Sequence, residues 1–247
     1  MKNRIRVLFI ILSVSIATVK GQVEKEACYE SLIDYLQTVE ESAKNQANKV
    51  QYCRYTIKNI TREKNASLPE AVDIEMKSSG DKVLLHTSVM DIYVDKEKTL
   101  LVYPVKKLVI VSDTPDNPDK LSEQRSIVGM QKAIIDSCVF KACRMVSQSG
   151  VDYRMLEFEA SEVLKDKGIA QLTYYLNDKS GNLDRMIISY DERSTLRRQE
   201  YLFLEVNYDY KKEKIKPIER YVFNESGKLL DKYEGFQIVD NSNSPNQ

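Results

Sequence analysis

The segment VLLHTSVMDIYVDKEKTLLVYPVKKLVIV, residues 83–111, is the strongest indication of the fold in this 247-residue chain. Its branched and aromatic residues are typical of β-strands, and the polar run DKEK at 95–98 predicts a hairpin. Read as one continuous strand, residues 83–94 are apolar on both alternating faces, with Val83, Leu85, Val89 and Tyr93 on one face and Leu84, Met90, Ile92 and Val94 on the other. An antiparallel sheet with one solvated face should alternate between apolar and polar residues. The second face therefore needs a cover, either loops or a ligand cavity between sheet and helices.

Two periodicities divide the rest of the chain. Residues 28–47 place apolar side chains three and four positions apart and predict an amphipathic helix, and residues 126–138 predict a second one. Period-two segments predict strands around these helices, including two strands in 216–239 joined by the turn NESGK. Short turns make neighbouring strands antiparallel. We therefore expect an α+β fold, a strongly curved antiparallel sheet that forms a half-open barrel, with helices covering its concave face.

The N-terminus is typical of a secretory signal peptide. Lys2, Arg4 and Arg6 precede a 13-residue apolar run, which is shorter than the roughly 20 residues needed to span a bilayer. Cleavage is expected after Gly21. The sequence thus predicts a signal peptide over 1–21, a single domain over 22–240 and a disordered tail over 241–247. Such a protein is exported, either periplasmic in a Gram-negative bacterial envelope or secreted.

Charge and motifs exclude several classes of function. Without the four basic residues of the leader, 33 basic side chains stand against 37 acidic ones, a net charge of −4. This balance argues against a nucleic-acid partner, which needs a clustered basic surface. His86 is the single histidine, and the sequence has no phosphate-binding glycine loop, nucleophile elbow or spaced set of metal ligands. We therefore expect a protein that is not an enzyme and that uses no metal or cofactor.

Four cysteines in an exported chain predict at least one disulfide. A continuous helix over 28–47 rises about 29 Å, and the residues from its end to Cys53 return only about 17–20 Å. The remaining gap of roughly 10 Å between Cys28 and Cys53 exceeds the ~7 Å limit between bridged α-carbons. Cys138 and Cys143 flank four residues at a predicted helix-to-strand junction. We therefore expect a Cys138–Cys143 disulfide, with Cys28 and Cys53 not bonded to each other.

Residues 90–111 and 172–192 resemble two hairpins of the bacterial periplasmic lipoprotein-carrier group (LolA/LolB-like). The residues that carry the resemblance are Tyr93, Asp95, Leu101, Tyr103, Pro104, Lys107 and Val109. The chain has Lys96 where the family has glycine, and Val102 where it has tryptophan. Together with the signal peptide, the N-terminal helix and the curved sheet, the resemblance implies a half-open barrel. Its apolar cavity, lidded by helices, would shelter acyl chains in the periplasm.

The leading functional hypothesis is a non-enzymatic periplasmic carrier of an apolar ligand, a lipid or the acyl chains of a lipoprotein. Each buried methylene contributes about 0.8 kcal/mol, so an acyl chain can be held without covalent chemistry. The expected partners are a lipid or lipidated protein and envelope transport proteins, and the carrier itself is expected to be a monomer. The alternative is a cell-envelope protein-interaction module on the same fold without a lipid cavity. The predicted cavity-lining residues are Val83, Leu85, Met90, Ile92, Leu101 and Tyr103.

Overall fold

The computed structural model describes residues 28–37, 41, 49–63, 68–114, 138–211 and 213–242. The predicted signal peptide, nearly all of the predicted helix over 126–138 and the end of the predicted tail lie outside these residues. The boundaries of the predicted single domain therefore stay predictions. Within the described residues, no helix has the length and apolar character needed to cross a membrane.

Strands make up most of the described chain. They are β1 (Gln51–Thr61), β2 (Ala71–Ser79), β3 (Lys82–Thr87), β4 (Asp91–Val94), β5 (Lys98–Tyr103), β6 (Leu108–Asp113), β7 (Cys138–Gln148), β8 (Val151–Ala160), β9 (Ile169–Asn177), β10 (Leu183–Tyr190), β11 (Leu196–Asn207) and β12 (Gln237–Asp240). The helical elements are α1 over residues 28–37, with residue 41 also helical, α2 (Glu162–Asp166), and two 3₁₀ helices, Ile218–Tyr221 and Asp231–Tyr233.

The strands form one open sheet in the order β12-β6-β5-β4-β3-β2-β1-β11-β10-β9-β8-β7. Two antiparallel meanders, β1–β6 and β7–β11, follow from the short turns between consecutive strands, and they join where β1 pairs with β11. The last strand, β12, pairs parallel to β6. Among the described elements β7 and β12 are the two edges, so the sheet is mostly antiparallel and not closed. This arrangement fits the expected half-open barrel.

Strand register divides the side chains of the sheet between two faces. The face that carries α1, called the helix face below, is apolar from β7 across to β6. One member from each of these eleven strands illustrates it: Phe140, Leu156, Tyr174, Met186, Tyr201, Tyr55, Met76, Leu85, Ile92, Leu101 and Ile110. On the opposite face, β8–β11, β1 and β2 carry many polar side chains, among them Glu157, Thr173, Arg185, Glu200, Arg54 and Glu75.

Helix α1 packs on the helix face of β8, β9 and β10. Its residues Leu32 and Leu36, one helical turn apart, are buried in a cluster with Leu156, Leu172 and other side chains of these strands. A helix of ten residues is about 15 Å long, which corresponds to three or four strands at their spacing of about 4.8 Å. The described part of α1 is therefore too short to cover the whole helix face.

The segment that follows β11 covers the opposite face of β3–β6. Ile218 and Val222, both fully buried, pack with Tyr233 against Tyr93 and Leu100. The hydroxyl oxygens of Tyr93 and Tyr233 lie 3.4 Å apart, and burial raises the pKa of Tyr93 above its ordinary value. Residues 83–111 are apolar on both faces of the sheet, and this segment shields one of the two faces from solvent.

The strand pair predicted within 216–239 is wrong over most of its length. Two 3₁₀ helices and an isolated bridge between Phe223 and Leu229 occupy this segment, and only Gln237–Asp240 is a strand. The physical reason is local hydrogen bonding. The backbone N–H groups of Arg220, Val222 and Tyr233 donate to carbonyl oxygens three residues earlier at 2.8–3.0 Å, and these 3₁₀ turns take the place of strand pairing.

The disulfide joins Cys28 to Cys143, with α-carbons 6.1 Å apart, while Cys53 and Cys138 are free thiols. The predicted Cys138–Cys143 bond is wrong because both residues lie in β7. Five residues of extended chain separate α-carbons by about 16 Å, well beyond the ~7 Å limit for a bridge. The expectation that Cys28 and Cys53 do not pair with each other is confirmed. The observed bond ties the beginning of α1 to the edge strand β7.

Candidate ligand-binding face

The helix face of β2–β6 carries a row of apolar side chains beyond the strands on which α1 packs. In register, Met76 lies opposite Leu85, Leu85 opposite Ile92, Ile92 opposite Leu101, and Leu101 opposite Ile110. Side chains directly opposite each other on neighbouring strands are close enough to make contact. The row from Met76 to Ile110 is therefore a continuous apolar surface across five strands.

All six predicted lining residues lie on this face. They are Val83 and Leu85 in β3, Met90 directly before β4, Ile92 in β4, and Leu101 and Tyr103 in β5. Each of the six is half-buried. The residues that alternate with them, such as Leu84 and Leu100, are almost completely buried beneath the C-terminal segment. The structure thus brings the six together on the less covered face, and their role as a ligand lining stays a prediction.

The alternation predicted over 83–94 is wrong because the chain reverses within it. β3 ends at Thr87 and β4 begins at Asp91, so Val83 and Leu85 share a face with Met90 and Ile92 instead of opposing them. The turn is closed by the Thr87 hydroxyl oxygen, which accepts hydrogen bonds from the backbone N–H groups of Val89 and Met90 at 3.2 and 3.0 Å. Of the residues that usually mark a turn, which are Gly, Pro, Asn, Asp and Ser, the stretch TSVM contains only Ser88.

Several members of the same face were missed at the sequence level: Ile74, Met76, Val94, Leu108 and Ile110. A usable signal existed for the two in β2. The segment AVDIEMK alternates apolar residues with charged ones, so Val72, Ile74 and Met76 must share one face. No such signal exists in KKLVIV, because four consecutive apolar residues do not show which of them belong to which face of the sheet.

The size of this surface suits an extended acyl chain. Five strands spaced about 4.8 Å apart span roughly 19 Å from β2 to β6. The hydrocarbon core of a bilayer is about 30 Å thick, so a chain within one leaflet extends for about 15 Å. The row from Met76 to Ile110 is therefore at least as long as one acyl chain.

Charged side chains of β2–β6 all point to the opposite face. There His86 Nδ1 lies 3.0 Å from Asp91 Oδ1, and Lys77 Nζ lies 2.6 Å from Glu213 Oε2 and 3.3 Å from Glu75 Oε1. The Lys77–Glu213 pair links β2 to the segment that follows β11. The single histidine thus contacts a carboxyl group of the neighbouring strand, and the helix face of these strands is left without charge, as a surface for hydrocarbon requires.

Cys53 in β1 lies next to Met76, at the β2 end of the apolar row. It is opposite Met76 in register and is buried with Tyr55 and Ile74. Burial raises the pKa of Cys53 to about 12, because a thiolate is poorly solvated in apolar surroundings. The thiol is therefore protonated and unreactive at neutral pH.

We expect native-state alkylation by iodoacetamide at pH 8 to modify Cys138 well before Cys53. A thiol with a pKa of about 12 is ionised to only about one part in ten thousand at this pH, and Cys53 is also inaccessible. Mass spectrometry of the alkylated peptides gives the two rates. In guanidinium chloride both thiols should react equally, which serves as the control. Equal labelling in the native protein would contradict the placement of Cys53 in the core.

Two clefts in the described part of the surface have a different character. A cleft of about 600 Å³ between β5, β6, β12 and the first 3₁₀ helix has Lys98, Arg220 and Asp240 among its lining residues. A second, of about 320 Å³, lies between α1 and the β9–β10 turn and includes Arg154 and Asp178. Charged rims of this kind suit polar ligands, since burying a charge against hydrocarbon is costly. The apolar row remains the better site for a lipid chain.

No protein-family model matches the sequence, and no curated protein matches it. Among solved structures, lipoprotein LppX from Mycobacterium tuberculosis is similar at 11% identity, with 76% of this chain and 99% of that chain covered and a TM-score of 0.46. LprF from Mycobacterium bovis is similar at 12% identity, with coverages of 75% and 97% and a TM-score of 0.42. A LolA superfamily protein from Nitrosomonas europaea is similar at 12% identity, with coverages of 78% and 98% and a TM-score of 0.32. All three similarities are distant, and one of them is to a LolA superfamily protein, the group that residues 90–111 and 172–192 resemble in sequence.

Proposed function

We propose that the protein is an exported, single-domain, non-enzymatic carrier that binds an apolar ligand on the helix face of β2–β6. The ligand is a lipid or the acyl chains of a lipidated protein. The observation that carries the proposal is the uncharged apolar row from Met76 to Ile110, in which every member except the buried Met76 is half-buried. In this proposal the helix face is the concave inner surface of a half-open barrel, and α1 covers the part of it next to the ligand.

The free energy available from this surface is sufficient for carriage without a covalent bond. An acyl chain that buries about ten methylenes gains about 8 kcal/mol, which corresponds to a Kd near one micromolar before the cost of association is subtracted. The half-buried side chains of the row add to this gain as the ligand removes their remaining exposure to water. Binding of this strength is reversible, as a carrier that must release its cargo requires.

Replacement of Leu101 by asparagine tests the proposal. Leu101 lies in the middle of the apolar row, and the variant Leu101→Asn places an amide without a partner against the ligand chain. Such a group costs about 1–3 kcal/mol, so we expect the Kd for 11-(dansylamino)undecanoic acid to rise by about tenfold or more. Fluorescence titration of the probe measures the change.

The matched control is Leu202→Asn. Leu202 is also half-buried and in mid-strand, but in β11 it lies on the opposite face, in register with Thr56 and Arg185. This variant should bind the probe as the wild type does. Equal losses in both variants would show that the effect is not specific to the helix face. Failure of the wild type to bind the probe, together with a native mass spectrum that contains no lipid adduct after purification from the protein's own host, would favour the interaction module.

A further inference from the structure

The connections between strands differ in chemistry at the two ends of the sheet. Because neighbouring strands are antiparallel, the connections β1–β2, β3–β4, β5–β6, β8–β9 and β10–β11 all lie at the end where β1 finishes. Four of these five expose a large apolar side chain. Leu68 is 44% exposed, Val89 55%, Val105 86% and Val163 65%. These four residues are called the apolar rim below.

The other end of the sheet exposes no large apolar side chain in its described hairpin connections. These connections, residues 80–81, 95–97, 149–150 and 178–182, consist entirely of Gly, Ser, Asn, Asp, Glu and Lys. Single exposed apolar residues are common on protein surfaces. Four that lie in four separate connections at one end of the sheet make the connections of that end the more apolar ones, as expected of an interaction surface.

Positive charge accompanies the most exposed member of the rim. Val105 lies at the tip of the β5–β6 turn between Pro104 and the two exposed lysines Lys106 and Lys107. Lys106 Nζ lies 5.5 Å from the centre of the Tyr103 ring, so this tip combines an aromatic ring, an aliphatic side chain and two ammonium groups. Aromatic, aliphatic and basic residues together match the interface of a bilayer, where apolar groups enter the acyl boundary and lysines meet anionic headgroups.

We infer that the apolar rim docks the protein on an anionic lipid membrane. A bilayer suits four tips on separate loops, because each tip enters the surface independently and no single pocket is needed. The helix face reaches the same end of the sheet through Met90, next to Val89, and Tyr103, two residues before Val105. The inference rests on the proposed function for its purpose, since docking by this end places the apolar row beside the membrane that supplies or receives the ligand.

Cosedimentation of the ligand-free protein with vesicles tests the inference. On vesicles of phosphatidylcholine with roughly one third phosphatidylglycerol, we expect the wild type to bind and Val105→Asp to bind about tenfold more weakly. The double variant Val89→Asp/Val105→Asp should bind more weakly still. Higher salt should reduce wild-type binding without abolishing it, because only the contribution of the lysines is screened.

The control variant is Leu204→Asp. Leu204 is 57% exposed but lies near the far end of β11, so the variant introduces the same charge away from the rim. Its binding should equal that of the wild type, and an equal loss in Leu204→Asp would overturn the inference. A wild type that binds the dansyl probe but no vesicles would also overturn the inference about the rim. The carrier function would then still stand, and the partner of the rim would be a protein surface. A wild type that binds vesicles but no probe would instead overturn the carrier and retain the rim.

Discussion

Removal of the Cys28–Cys143 disulfide is expected to lower the free energy of unfolding by about 4–5 kcal/mol. The two cysteines are 115 residues apart in sequence, and a bond that closes a loop of about 100 residues restricts the unfolded chain by about 4.7 kcal/mol in the chain-entropy model. The double variant Cys28→Ser/Cys143→Ser should therefore unfold at a much lower urea concentration than the wild type. Circular dichroism of the sheet monitors the transition.

The variant Cys138→Ser is the matched control. Cys138 lies in the same strand as Cys143 and carries a free thiol, so its replacement removes a sulfur atom without removing a cross-link. We expect its unfolding midpoint to stay close to that of the wild type. Peptide mapping without reducing agent should recover residues 28 and 143 in one cross-linked peptide. A double variant as stable as the wild type, or a map that joins Cys138 to Cys143, would contradict the observed pairing.

In the variant without the disulfide, α1 should open more readily than the strands of the sheet. The bond fixes the first described residue of the helix, and Tyr29 next to it contacts Phe140 with ring centroids 5.0 Å apart. Isolated helices of ten residues are marginal in water, so α1 depends on this anchor and on the burial of Leu32 and Leu36. Hydrogen exchange over 28–37 in the double variant should therefore accelerate more than exchange in β9 or β10.

The sequence predicts the sheet well because its signals are local. Polar turns such as SSGD and DKEK, and alternation in segments such as AVDIEMK, report directly on hairpins and on strand faces. Antiparallel order follows from the short turns, and the open, mostly antiparallel sheet is the result. The parallel pairing of β12 with β6 has no such signal, since it joins segments more than a hundred residues apart.

The wrong disulfide arises because long-range contacts decide the pairing, whereas the misplaced turn at Thr87 arises from local hydrogen bonds that the residue types do not reveal. The pairing of Cys28 with Cys143 depends on how α1 crosses the sheet, which no local spacing encodes. The six predicted lining residues were chosen from a pattern that misplaced the turn at Thr87, yet they lie on one face because the chain reverses there. The sequence shows that residues 83–111 are apolar on two sides, but only tertiary structure shows that the C-terminal segment covers one of them.

Truncation of Ile218 to alanine is the second change for which we expect a large effect. Ile218 is fully buried in the cluster that the C-terminal segment forms with Tyr93 and Leu100. Removing a buried isoleucine side chain beyond its β-carbon typically costs 2–5 kcal/mol, through lost transfer energy and the cavity that remains, so we expect a loss of about 3 kcal/mol in unfolding free energy. Urea denaturation measures this loss.

The matched control for Ile218→Ala is Ile238→Ala, the same substitution at a residue of β12 that is 46% exposed, where we expect a loss of less than about 1 kcal/mol. Trypsin adds a local readout, because the exposed Lys214 lies just before the buried anchor, whereas Lys216 is protected from trypsin by Pro217. If the C-terminal segment covers the opposite face of β3–β6 as one unit, Ile218→Ala should accelerate cleavage at Lys214 before the sheet unfolds. Equal stability of the two variants, with unchanged cleavage, would mean that Ile218 does not anchor the segment. The opposite face of residues 83–111 would then need another cover.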